Sequence, residues 1–123
     1  MKNFLAVGVG GLFGAIARYA VSLAVARIWT RNFPLATFLV NVSGSFVLGL
    51  FTAFAAQRVP IDPIWRLLIA TGFVGAYTTF STFEYETHLL SELGTAGWAL
   101  TNVIASVVAG FIAVRLGISL ARS

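Results

Sequence analysis

The chain contains no cysteine. Disulfides, thiolate metal centres and a cysteine nucleophile are therefore excluded. Charge is also scarce: 10% of the 123 residues are Asp, Glu, Lys or Arg, against roughly a quarter in soluble domains. The single histidine, His88, follows the apolar part of its segment, and neither a Ser/His/Asp triad nor a metal-ligand set can be assembled around it. An enzyme is not expected.

What the chain does contain is apolar. Hydrophobic residues make up 59%, and the mean hydropathy is +0.92. A soluble fold of this size has too little interior to hide so much apolar surface. The composition is that of a membrane protein. The net charge of +4 and a pI near 10.4 raise the question of nucleic acid. The eight basic residues, however, are spread singly, with no cluster or basic face, and nucleic acid is not expected as a partner. Arginines near segment ends suit lipid headgroups instead.

A membrane span needs about 20 mainly apolar residues, within a range of roughly 17–25. Four stretches qualify, at about 4–26, 34–56, 64–93 and 96–120, joined by short links. The link QRVPIDP carries two prolines as breakers. The N-terminus looks like a signal peptide for a few residues. It lacks a small-residue cleavage site and continues through Arg18 into more apolar sequence, which reads as a retained first span. The expected fold is one all-α domain of four transmembrane helices. An even number of spans puts both termini on one side, with Lys2, Arg58, Arg66, Arg115 and Arg122 against Asp62. Arg27 and Arg31 lie on the other side, so the balance leans towards cytoplasmic termini.

Residues four apart share a helix face. The first span carries Ala6, Gly10, Gly14 and Arg18 in one row; small residues allow close helix approach, and Arg18 should face protein or water. The second carries Thr37, Asn41, Ser45 and Gly49, the fourth Gly94, Trp98, Asn102, Ser106 and Gly110. Rows of amide and hydroxyl groups serve either as glue between helices or as the lining of an ion path.

The third span is the most informative. GFVGAYTTFSTFEYE, at 72–86, crowds Thr78, Thr79, Ser81 and Thr82 around Phe80 and Phe83, then adds Glu84 and Glu86. Gly75 to Thr79 reads as an unwound turn. Irregular backbone at membrane depth survives only where protein or a polar cavity covers it, and its freed carbonyls are ligands for a hard cation. Glu86 falls four after Thr82 and continues the hydroxyl face; Glu84 lies off it and reads as interfacial, as do Tyr85 and His88. Trp29, Trp65 and Trp98 fall near span ends, as an aromatic belt would place them.

These motifs, GGLFGAIARY at 10–19, ATFLVNVSGSFVLG at 36–49 and above all TGFVGAYTTFSTFEYET at 71–87, resemble the Fluc family of bacterial fluoride channels along all four spans. The resemblance implies a fluoride-selective channel that exports fluoride passively across the bacterial inner membrane. It implies an antiparallel, dual-topology homodimer with two pores, the third helix broken near its middle. A central structural sodium ion would be held by the backbone carbonyls of Gly75 and Thr78. Phe80 and Phe83 match pore phenylalanines whose ring edges meet fluoride. Asn41 matches a pore hydrogen-bond donor, Ser81 and Thr82 the hydroxyl pair of the motif, and Ser106 the polar track of the fourth helix. Arg18 matches the basic position of a vestibule.

Two other readings compete. A small multidrug-type, proton-coupled exporter has four helices and a similar length, but relies on a carboxylate in its first helix, where this chain holds Arg18 and no acid. A non-transporting assembly subunit would explain the small-residue rows but not the hydroxyl-dense third segment.

Overall fold

The structure, a computed structural model, describes residues 1–57 and 61–123; Arg58 and the centre of the second link lie outside the described residues. The described chain is helical. α1 runs Lys2–Ile28 and α2 Leu35–Gln57. Next comes a composite rod, α3, made of an α-turn Pro63–Arg66, a π-helical stretch Leu67–Val74 and a last α-turn Gly75–Tyr77. α4 runs Phe80–Glu92 and α5 Ala96–Arg122. Three of these, α1, α2 and α5, are long and apolar enough to cross a membrane, close to the expected boundaries. The remaining expected span is divided into α3 and α4, neither of which spans alone.

Local chemistry explains the ends. Pro63 occupies the first turn of α3, where its missing N–H costs nothing, and the Asp62 carboxylate accepts from Ile64 N–H at 3.0 Å. α4 stops at Gly94, whose φ of +73° suits a residue without Cβ. Between α1 and α2, the Trp29 indole donates to the Phe33 carbonyl at 2.8 Å while Arg31 lies 5.7 Å from the Trp29 ring centroid.

Packing forms two helix pairs, α1 with α3 and α2 with α5. The small-residue row of α1 faces α3: Ala6, Gly10 and Gly14 are buried, and a Cβ on Gly14 would collide with the Phe73 carbonyl. The second pair closes the same way. Gly49 sits against the Val114 backbone and Gly117 against the Phe46 carbonyl, with no room for a Cβ at either. Helices in lipid gain little from expelling water, so such close backbone approach is how they cohere. The outer faces stay apolar and uncovered, as at Leu12, Ile16, Val107 and Phe111.

Two features differ from expectation. Gly75 is not unwound: its φ of −59° and ψ of −37° are helical, and the break is confined to Thr78 and Thr79, both extended. The π-helical stretch before it was not foreseen. Its wider turn has no compositional mark, since LLIATGFV satisfies an α-helix equally well.

Candidate functional site

The break between α3 and α4 is held by α2. Thr79 N–H donates to Asn41 Oδ1 at 2.7 Å, and Asn41 Nδ2 donates to the Thr79 carbonyl at 3.1 Å. One side-chain amide thus satisfies both backbone groups of an extended residue that no helix can serve. The Thr79 hydroxyl caps α4, accepting from Thr82 N–H at 3.3 Å and donating to Thr82 Oγ1 at 2.9 Å. Since Thr79 supplies the proton of that pair, the Thr82 hydroxyl keeps its own proton for another acceptor. Asn41 likewise keeps one of its two Nδ2 protons.

The same break strips partners from the end of α3. In an unbroken helix the Gly75 carbonyl accepts from Thr79 N–H and the Thr78 carbonyl from Thr82 N–H. Here the first donor goes to Asn41 and the second to Thr79 Oγ1. Thr78 itself remains tied to the helix, with both N–H and hydroxyl donating to the Val74 carbonyl at 3.0 Å.

Phe80 and Phe83 follow as neighbours, ring centroids 5.9 Å apart and planes 39° apart. Their surroundings differ sharply. Phe83 is 6% exposed and Phe80 74% exposed. Ser81 is exposed on the first turn of α4, and Thr82 is half-buried.

Ser106 and Asn102, both expected on the polar row of the last helix, join a network whose third member, Thr87, was not expected. Asn102 is 1% exposed; its Nδ2 donates to Thr87 Oγ1 at 2.8 Å, and Ser106 Oγ donates to its Oδ1 at 3.3 Å. Thr87 Oγ1 in turn donates to the Phe83 carbonyl at 2.8 Å. The sequence did carry a signal: Thr87 stands four residues after Phe83 and therefore on its face.

Three clefts run past these groups. One of about 240 Å³ is lined by Asn41, Gly44, Ser45, Thr78, Thr79 and Phe80. A second, of about 250 Å³, holds Arg18 with Ser22, Thr37, Thr79 and Thr82. A third, of about 470 Å³, opens by the α1–α2 link between Trp29, Arg31 and Glu86, and shares Ser22 with the second. Thr79 thus borders the first two clefts and Ser22 the last two. Glu86 reaches inward with its Oε2 buried and unpartnered among the described residues, whereas Glu84, Tyr85 and His88 are exposed. Among the described residues no group of three or more His, Cys, Asp or Glu side chains is placed to hold a metal ion.

The family described as CrcB-like protein, Camphor Resistance (CrcB), matches residues 5–118. The chain belongs to this family. Among its relatives, the fluoride-specific ion channel FluC of Koribacter versatilis is 46% identical over 123 residues, covering 100% of this chain and 98% of that protein. Fluoride-specific ion channel FluC 2 of Nitrobacter hamburgensis is 45% identical over 120 residues, 98% of this chain and 97% of its own. Fluoride-specific ion channel FluC 1 of Listeria monocytogenes is 41% identical, with 98% of each chain covered. The resemblance drawn from the three motifs along all four expected spans is borne out, and the CrcB match likewise runs from α1 to α5.

Proposed function

We propose that this CrcB-family chain is a fluoride-selective channel, which lets fluoride leave a bacterial cell passively across the inner membrane and so confers fluoride resistance. The observation that carries the reading is identity along the full chain to relatives named fluoride-specific ion channels. The site supplies chemistry that fits. Fluoride is small, strongly hydrated and a hydrogen-bond acceptor, so its water must be replaced by donors. Asn41 and Thr82 each retain an uncommitted proton. The first turn of α4, with Ser81 on it, presents N–H groups lacking intrahelical acceptors, a partial positive end inside the membrane. Neither Asn41 nor the hydroxyls carry charge, so an ion entering them is not trapped.

The route follows the clefts. Ions gather near Arg18, lose water at Thr82 and Asn41, and pass the edges of Phe80 and Phe83, where an aromatic ring carries its partial positive charge. Ser106 continues the polar surface beyond Phe83.

A single chain does not enclose this path. Phe80, though a pore ring in this reading, projects from the chain surface. A second copy supplies the missing wall, giving an antiparallel, dual-topology homodimer with two pores. In that assembly α3 and α4 together make the third span, its break roofed by α2 and the partner. The carbonyls of Gly75 and Thr78, deprived of their helical donors, are hard oxygen ligands of the kind that suits a structural sodium ion between the subunits. Bound by these carbonyls, such an ion would supply a fixed positive charge beside the break.

Expression in a bacterium lacking fluoride export tests the function. Growth should be restored in fluoride concentrations that arrest the parent strain. Continued arrest, with the protein present in the inner membrane, would contradict it.

A further inference from the structure

One contact at the break is not used by permeation. Ser43 Oγ and Tyr77 Oη are 2.9 Å apart. Proton counting fixes the direction of this bond. Ser43 has one hydroxyl proton, and its shortest contact is to the Leu39 carbonyl at 2.6 Å, which can only accept. Tyr77 is therefore the donor and Ser43 the acceptor. The Tyr77 ring is also stacked on Phe73 one turn earlier, centroids 5.8 Å apart and planes 11° apart. Next to Ser43, Gly44 leaves space that a Cβ would take from Thr78 Cγ2, and Tyr77 Cδ1 lies 3.2 Å from the same point.

Three residues of α2 therefore hold three successive residues at the end of α3: Ser43 holds Tyr77, Gly44 receives Thr78, and Asn41 holds Thr79. The carbonyls of Gly75 and Thr78 lie within and beside this stretch. Thr78 N–H still binds the Val74 carbonyl, but neither the Gly75 nor the Thr78 carbonyl keeps its own helical donor, so their direction follows the rotation of the last turn of α3. From this arrangement we infer that Tyr77 is a positioning residue for cation binding, its hydroxyl latched to Ser43 so that the Gly75 and Thr78 carbonyls stay aimed at the ion. The inference rests on the sodium reading given above. It adds that the affinity of the cation site is set by a phenol and a serine that do not touch the ion.

The test is a sodium titration of the purified full-length protein in detergent, read by thermal unfolding, with N-methylglucamine chloride holding ionic strength constant. Tyr77→Phe keeps the stacked ring and removes only the donor; Ser43→Ala removes the acceptor; Ser43→Thr restores it. Both disrupting variants should raise the sodium concentration for half-maximal stabilisation about fivefold, the equivalent of one ordinary hydrogen bond. Their sodium-free melting temperature should match the parent, Ser43→Thr should titrate like the parent, and fluoride efflux at saturating sodium should be unchanged. Parent-like titration of Tyr77→Phe and Ser43→Ala would overturn the latch while leaving the sodium site standing. An equal loss of stability with and without sodium would also overturn it, because the contact would then be structural only. A parent protein indifferent to sodium would remove the cation reading itself, and the latch with it.

Discussion

Asn41 pairs with both backbone polar groups of Thr79, accepting from its N–H at 2.7 Å and donating to its carbonyl at 3.1 Å. This two-bond bridge makes a broken helix tolerable at membrane depth, where an unpaired peptide group costs several kcal/mol. Asn41 also lines the cleft beside Phe80. In the proposed pore, structural support and ion contact converge on this one side chain.

Asn41→Ala should therefore be destabilising as well as inactive. It leaves two buried groups of Thr79 without partners, at about 2–4 kcal/mol in total. Asn41→Asp keeps the acceptor for Thr79 N–H, and so should lose less stability, but it offers no donor to an anion. Thermal unfolding in detergent, compared with fluoride efflux for both variants, separates the two roles.

The unequal burial of the phenylalanines predicts unequal mutants. Phe80→Ile and Phe83→Ile should both abolish fluoride efflux. Phe80→Ile should leave the melting temperature of the single chain's fold near the parent value, while Phe83→Ile, in a filled interior, should cost about 1–2 kcal/mol. Parent-like efflux from either assembled variant would remove that ring from the route.

The contact of α1 with α3 has no slack at Gly14. Gly14→Ala places a methyl group against the Phe73 carbonyl and should cost about 1–3 kcal/mol through forced separation of the helices. The check is the yield of monodisperse protein and its melting temperature. Gly97→Ala, where nothing lies within 4 Å of the added carbon, is the control and should behave as the parent.

Asn102 is buried and serves both Thr87 and Ser106. Asn102→Leu has similar size but removes donor and acceptor together, and should lower stability by about 1–3 kcal/mol. Because Thr87 bonds the Phe83 carbonyl, a slower fluoride efflux should accompany the loss. Thermal unfolding and efflux on the same preparation measure both.

Much of this was legible in the residues. The three long apolar helices α1, α2 and α5, the small-residue row Ala6–Gly10–Gly14 and a break somewhere within Gly75 to Thr79 follow from hydropathy, spacing and composition, because lipid leaves backbone few alternatives to a helix. The depth of the break was not legible. Gly75 suggested unwinding by its flexibility, but nothing forces a helical glycine to unwind. The break settles at Thr78 and Thr79 because Asn41 and the Thr79 cap compensate for lost helical bonds only there. The π-helical stretch and the Ser43–Tyr77 bond were equally hidden. Both depend on how α3 meets its neighbours, α1 at one and α2 at the other, a tertiary relation that no local pattern encodes.

The central claim is most directly met by ion flux from liposomes carrying the purified protein, followed with a fluoride electrode and repeated with chloride. The account predicts rapid fluoride release, negligible chloride release, and loss of fluoride release in Phe80→Ile. Folded, reconstituted protein that releases no fluoride, or that releases chloride equally fast, would contradict it.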